Sequence, residues 1–475
     1  MIRKLIMLFV VLFGTGLYLS AQETWSLEVC IQYAMENNIQ IKQSVLNTEY
    51  NENLLKQSKL GQIPSLSGST NYTYSWGRAL DETTYRFSDN QQINSINLGL
   101  NSFTNLFNGL RVRNTILQNE LNLLASYEDV EKVRNDISLN IAAAYLTIMF
   151  NKELESVTES QLEITGQQVE RTLKMVDAGK LARGNFLELQ AQYASEELNL
   201  VNAENQLAIS LLNLQQILDL PIDTAFDVAI PELADPDEDP LVINALEVYR
   251  IAEQDMPEIK SAVLGLESAE KGLAIAKGGR SPQLYLSANF NTGYSDIRQQ
   301  VVGLSPPMQV PIGVTAGGET VYTINEQEIP EYGAYAFFEQ MRDNTSTGVG
   351  LGLSIPIFNG WQVNANIDNA RIMHKNAQLE LQSKKLTLYA TIQQAYADAL
   401  AALKKFNATQ QALVSMEESF KYTEKKFEVG LVNTVDYNIS KNQLTATQSD
   451  LLQAKYDFIF RTKILNFYKG EPITL

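Results

Sequence analysis

Four short motifs occur twice in this chain, in the same order and at nearly constant spacing. Ile41-Lys42 returns as Ile259-Lys260 and Pro64 as Pro282, both 218 residues later. Leu106-Phe107-Asn108-Gly109 returns as Ile357-Phe358-Asn359-Gly360, and Gly179 as Gly430, both 251 residues later. One insertion of 33 residues between Pro282 and Ile357 accounts for every pair. A chain that repeats itself must build one unit twice, and this narrows the folds more than any composition does. The first repeat spans 22–220 and the second 241–475, with most of the insertion expected in a long loop at about 295–344, where Pro306-Pro307, Gly317-Gly318 and polar residues suit a loop. The segment 221–240 joins them, with Asp235, Asp237, Glu238 and Asp239 between Pro231 and Pro240. It lacks the alternating ligand spacing of a calcium loop and reads as a solvated acidic linker.

Each copy carries the same elements. A short helix comes first (Leu27–Asn37; Val242–Gln254), then a medium helix that stops before Pro64 or Pro282. Proline holds the residue before it extended, here Ile63 and Ser281. Two strands follow, then a very long helix, a glycine turn and another medium helix. From Ser65 to Trp76 one face is Ser65, Ser67, Ser69, Asn71, Thr73 and Ser75, and the other Leu66, Gly68, Thr70, Tyr72, Tyr74 and Trp76. Gln283–Tyr294 repeats that alternation. The returning strands carry Ile96, Leu98 and Leu100, then Val349, Leu351, Leu353, Ile355 and Ile357. About ten alternating residues with aromatics near the ends suit a membrane-spanning barrel strand. Four strands cannot close a barrel, and lipid does not tolerate an open edge, so several chains must pool their strands; three would supply twelve.

The long helix of the first copy, Gly109 to Ala178, would run roughly 105 Å. Ile116, Leu123, Val130, Ile137 and Ala144 fall seven apart, as do Leu162, Val169 and Val176. In the second copy Tyr389, Tyr396 and Leu403 do so, then Leu413, Phe420 and Phe427. Such seams bury a narrow stripe against neighbouring helices. The medium helices, Asn38–Gly61 and Asn185–Leu220, together match one long helix in length and so stack end to end beside it.

Composition closes off other classes. A formal charge of −18 repels phosphate backbones, which removes nucleic acid as a partner. Arg3, Lys4, the apolar run Leu5–Leu19 and the small pair Ser20-Ala21 form a secretory signal cleaved after Ala21. The best later apolar run, Ile141 to Phe150, is too short to cross a bilayer as a helix. Cys30, the one cysteine, excludes an internal disulfide and reads as a small buried residue on a helix face. His374, the one histidine, lies on a long helix as a solvated or packed side chain. No phosphate loop, zinc spacing or nucleophile–base pair appears, so the chain is expected to be no enzyme and to need no cofactor or metal.

With its repeated Phe-Asn-Gly transitions (Phe107, Asn108, Gly109; Phe358, Asn359, Gly360) and glycine turns (Ala178-Gly179-Lys180; Val429-Gly430-Leu431), the chain resembles the TolC-type outer-membrane efflux family over its mature length. The resemblance implies a mixed fold of α and transmembrane β. It further implies a homotrimer whose twelve-stranded β-barrel, four strands per chain, sits in outer-membrane lipid and continues into a long periplasmic α-helical barrel. It implies an exit duct of a tripartite efflux or type I secretion system, joined through a periplasmic adaptor to an inner-membrane pump. It assigns adaptor docking to Ala178, Gly179, Lys180, Val429, Gly430 and Leu431. It assigns the pore constriction to Asp436, with Phe427 as an apolar alternative. Ile439 stands where a second aspartate ring is usual, and Phe427 and Val432 stand where the family has a tyrosine and an arginine that lock the tip. The competing class is a secreted trimeric coiled-coil stalk, structural or adhesive, from which barrel-type hairpins do not follow.

Overall fold

The computed structural model describes residues 24–81, 85–87, 89–221, 226–231 and 244–474. The signal segment and most of the acidic linker lie outside them. The first repeat opens with β1 (Thr24–Trp25), α1 (Leu27–Asn37) and α2 (Ile39–Leu60). It continues with β2 (Ser65–Gly77), β3 (Leu80–Asp81), β4 (Arg86–Phe87) and β5 (Gln91–Phe107), then α3 (Arg111–Asp177) and α4 (Arg183–Ile217). After β6 (Asp227–Val228), the second repeat gives α5 (Ala245–Asp255), α6 (Pro257–Gly278) and β7 (Gln283–Ser295). The inserted stretch holds β8 (Gln299–Leu304), β9 (Pro311–Val314), β10 (Thr320–Tyr322), β11 (Pro330–Ala334) and α7 (Phe337–Asp343). Last come β12 (Ser346–Ser354), α8 (Gln362–Glu428) and α9 (Thr434–Tyr468). The repeated order is the expected one, and α3 and α8 are each 67 residues, or roughly 100 Å. None of the helices among the described residues is long and apolar enough to cross a membrane.

The chain divides into two compact units, and each repeat contributes to both. One takes its described residues from 24–52, 120–268 and 375–474, and its core comes from corresponding positions of the two copies. Leu27, Cys30, Ala34 and Ile41 are buried, and so are Ala245, Val248, Ala252 and Ile259, each 218 residues on. Cys30 is therefore the counterpart of a core valine. Burial pushes its thiol up to about 12, so it stays protonated and unreactive at neutral pH. Around the first set pack Ile137, Ile141, Tyr145 and Met149 of α3 and Leu214 and Leu218; around the second pack Leu388 and Ile392 of α8. The Tyr145 hydroxyl lies 3.0 Å from the Trp25 carbonyl oxygen and 2.5 Å from that of Ala229, tying α3 to the β1–β6 pair.

Burial along the long helices departs from the expected stripes. The first seam keeps its register beyond Ala144, through Asn151, Thr158, Thr165 and Thr172. Asn151, Thr165 and Thr172 are each 2% exposed, whereas Leu162, Val169 and Val176 are only half-buried. In α8 the buried heptad is Leu388, Ala395 and Ala402, one residue off the expected Tyr389, Tyr396 and Leu403. Leu403 is buried as well, but Tyr389 is exposed.

The other unit comprises 53–119 and 269–374. Its sheet has the order β12-β7-β5-β2, all neighbours antiparallel, leaving β2 and β12 as open edges. The register aligns the polar residues on one face: Ser69 opposes Gly99, which opposes Asn291, which opposes Ser346. Leu66, Leu98, Leu100, Phe290, Val349 and Leu351 take the other face. Those four strands hold no Asp, Glu, Lys or Arg. Ile355 and Ile357 lie beyond the end of β12, because Pro356 has no amide hydrogen with which to continue the ladder. The inserted stretch, expected as a loop, is largely ordered. β8 pairs with β11 and β9 with β10, with a Met308–Gln327 bridge between, so 299–334 forms one two-stranded ribbon. Gln340 of α7 anchors it, accepting from the Ser295 amide and donating to the carbonyls of Ser295 and Tyr335.

Candidate functional site: the paired helix tips

Both helical hairpins turn on the same device. Gly179 has φ +69° and Gly430 +75°, the left-handed region that glycine enters without strain. Gly179 N–H donates to the Val176 carbonyl and Lys180 N–H to that of Met175. Gly430 N–H donates to Phe427 and Leu431 N–H to Lys426 in the same pattern. These paired bonds are a Schellman cap and satisfy the last carbonyls of α3 and α8. A methyl at either glycine would meet nothing within 4 Å, so the backbone angle, not crowding, calls for glycine. Ala178, Lys180, Val429 and Leu431 are all exposed, Val429 and Leu431 to 70% and 77%.

Between the tips lies a groove of about 600 Å³. Met175, Lys180, Leu181, Phe427, Leu431 and Val432 are among the residues lining it. Arg171 spans it to Glu428 at 3.0 Å, with both side chains about half exposed. A surface pair of this kind is worth roughly 0–1 kcal/mol and marks proximity more than strength.

Asp436 sits in the first turn of α9 with its side chain exposed. It is not the cap. Asn433 holds that place, its Oδ1 accepting from the Asp436 amide at 2.8 Å, so the Asp436 carboxylate is free to face solvent. Phe427 is half-buried and stacks on Tyr437 with ring centroids 4.6 Å apart, and Phe420 lies 5.5 Å from the same ring. Ile439 is exposed, one helical turn beyond Asp436.

Sequence reading passed over the groups packed deepest near this end. Lys441 of α9 is buried at 3% exposure. Its ammonium lies 3.1 Å from Glu196 Oε1 of α4, donates to the Gln161 carbonyl of α3 at 3.2 Å, and donates to Thr165 Oγ1. Thr165 donates in turn to Glu196. Burial draws the Lys441 ammonium below the ordinary lysine range, against the raising pull of Glu196. Tyr437 is 1% exposed, and burial pushes its phenol up to about 12. Its hydroxyl, Thr434 Oγ1 and Asn438 Oδ1 have no hydrogen-bond partner among the described residues. The available signal was Thr165, Glu196 and Lys441 on helices whose apolar stripe had lapsed, and that signal is weak.

The transitions from strand to helix are likewise twofold. Gly109 (φ +69°) and Leu110 (+60°) match Gly360 (+62°) and Trp361 (+68°). Asn108 Oδ1 accepts from the Val112 amide at the start of α3. At Gly109 a Cβ would lie 2.5 Å from the Gly278 carbonyl oxygen, so space as well as angle demands glycine there. Phe358 is 84% exposed and Phe107 45%, which makes these turns surface features of the single chain. His374 is half-buried on α8, and no group of three or more His, Cys, Asp or Glu side chains among the described residues could hold a metal.

The outer membrane efflux protein family matches residues 30–219 and 248–459, one match on each repeat. Outer membrane protein TolC of Escherichia coli is 24% identical over 468 residues, covering 96% of this chain and 84% of the relative. Alkaline protease secretion protein AprF of Pseudomonas aeruginosa is 21% identical, covering 97% and 88%. Among solved structures, CusC superposes with a TM-score of 0.75 at 17% identity, covering 94% of this chain and 92% of that one. The outer membrane protein VceC of Vibrio cholerae gives 0.74 at 15%, covering 94% and 96%. Neither the family nor these relatives favour an adhesive stalk.

Proposed function

This chain belongs to the outer membrane efflux protein family, and on that premise we propose that three copies close a twelve-stranded barrel in the outer membrane and act as the exit duct of a tripartite efflux or secretion system. The chain is an outer-membrane channel with a periplasmic extension, not an enzyme. One observation carries the trimer: a charge-free four-stranded sheet, apolar on one face and polar on the other, with β2 and β12 both unpaired. Edges of that kind in lipid leave backbone groups unsatisfied at several kcal/mol each, and joining β12 of one copy to β2 of the next removes both. With four strands per chain, three copies reach a strand count known for such barrels.

The helix tips are the periplasmic docking end in this reading. The exposed Val429 and Leu431, the lining of the groove and the spanning Arg171–Glu428 pair offer an apolar floor with a polar rim, the anatomy of a transient protein interface. The partner is a periplasmic adaptor and, through it, an inner-membrane pump. Three copies of Asp436 around one axis would form the constriction. Native mass spectrometry and planar bilayers test the proposal together. A trimer that conducts is expected; a folded, membrane-inserted monomer would overturn it.

A further inference from the structure

The polar face of the sheet has a feature that its polarity alone does not require. Its longer side chains repeatedly stand directly across from glycine on the next strand. Asn289 opposes Gly348, Tyr285 opposes Gly352, and Asn97 opposes Gly293. Each of these side chains leans over its partner. A Cβ at Gly348 would lie 2.6 Å from Asn289 Oδ1, one at Gly293 2.7 Å from Asn97 Oδ1, and one at Gly352 would fall on the Tyr285 ring. Real Cβ atoms do not approach that closely, so another residue at these glycines would push the asparagine amides aside and, at Gly352, displace the whole Tyr285 ring. Glycine weakens a strand and is normally disfavoured there, so a run of it facing long side chains needs a packing reason.

We propose that these glycines set the bore of the barrel. They seat the amides and the Tyr285 ring flat against the inner wall, leaving a wide, uncharged conduit in which cargo is not sorted by charge. The inference rests on the trimeric barrel above, which makes this face the lumen. A twelve-stranded barrel has a backbone diameter of only roughly 24 Å at ordinary strand spacing and tilt, so a raised ring from each of three copies takes a large part of the opening. The neutrality is equally specific. In a chain that is 19% charged, β2, β5, β7 and β12 carry no charge on either face, so the wall exerts no monopole field on a passing solute.

The experiment measures single-channel conductance and exclusion of neutral polyethylene glycols added from the extracellular side, for the full-length trimer in planar bilayers. Gly352→Ala is expected to lower the size of polymer that enters from the extracellular side, as three raised rings narrow the bore, while conductance stays set by the constriction at the helix tips. The double variant Gly352→Ala/Tyr285→Ala is expected to return the polymer cut-off to the original, because the ring that had to move is gone. Should the single variant fail to assemble, assembly and bore restored in the double variant carry the same conclusion. An unchanged polymer cut-off in an assembled Gly352→Ala trimer would overturn the proposal, and so would a double variant that stays narrow. A third variant separates this from the reading beneath it. In an Asp436→Asn background, which removes the charge of the tip, Asn289→Asp should make the channel more cation-preferring, since three carboxylates would enter a neutral wall. No change there would mean that this face does not line the conduction path, and the barrel reading itself would fall.

Discussion

Replacing Glu196 by glutamine removes one half of a buried charge pair and leaves its volume in place. The Lys441 ammonium lies 3.1 and 3.3 Å from the two carboxylate oxygens, and the side chains are 3% and 9% exposed. At an effective dielectric of about 20, Coulomb attraction at that distance is about 5 kcal/mol. Desolvating each ion costs several kcal/mol, so the intact pair nearly breaks even. Without the negative charge, the ammonium keeps only neutral acceptors, the Gln161 carbonyl, the Thr165 hydroxyl and the new amide oxygen, and a penalty of about 3–5 kcal/mol follows. Amide hydrogen exchange in α4 and α9 around the pair should therefore quicken by about a hundredfold or more, each 1.4 kcal/mol being a factor of ten. Burial already lowers the Lys441 value. Between that lowered value and the ordinary lysine value near 10.4, the unfolded chain binds more protons than the folded one. Stability of the variant should therefore recover as pH rises through that window. Lys441→Met with Glu196→Leu removes both charges and should exchange nearly as slowly as the parent. Unchanged exchange in Glu196→Gln, or a double variant as labile as the single, would refute this account.

Tyr437→Phe should leave the tip as stable or more so, by up to about 1–3 kcal/mol, since the hydroxyl it removes is buried without a partner. The same change should flatten the alkaline limb of thermal denaturation. The unfolded phenol ionises near pH 10 and the folded one near 12, so stability falls as pH rises between them, by roughly 2–3 kcal/mol for this group. Asp436→Asn should lower cation preference in reversal-potential measurements with little change in trimer melting, because Asn433 supplies the cap; a large loss of stability with unchanged selectivity would refute that. Protease should cut the 299–334 ribbon on intact cells, and protection until the cells are permeabilised would reverse the orientation.

The duplication made the element order legible because a repeated unit must reuse its turns. Gly109 and Gly360, Gly179 and Gly430 were readable from sequence alone, since left-handed backbone singles out glycine. The seams were less legible. Hydrophobicity led from Ala144 to Leu162, Val169 and Val176, while burial stayed in register through Asn151, Thr165 and Thr172. Two of those polar residues are tolerated because their donors find acceptors: Asn151 reaches the Gln206 carbonyl and Thr165 the Glu196 carboxylate. A period count that scores only apolar residues loses a seam where it turns polar. The inserted ribbon was hidden for another reason. Its Gly, Pro and polar residues also suit a loop, and pairing between strands as far apart as β8 and β11 leaves no local mark.

What the two copies have kept and what they have changed follow different rules. The core positions Leu27, Cys30, Ala34 and Ile41 correspond to Ala245, Val248, Ala252 and Ile259: apolar at every step, with volume free to drift as the surroundings repack. At the tips the chemistry itself has diverged. Moving back or forward by 251 residues, Asp436 corresponds to Asn185, Lys441 to Gln190, Glu196 to Thr447 and Thr165 to Met416. A buried ion pair cannot drift as a core can, because losing either partner strands the other, so both charges had to arise together on one seam. The exposed aspartate obeys a different constraint. Were both copies to carry it, a trimer would bring six carboxylates towards one axis, where repulsion between like charges raises the energy of the closed ring. With asparagine in the first copy, the proposed trimer would carry three, half the charge that two identical copies would bring to the axis.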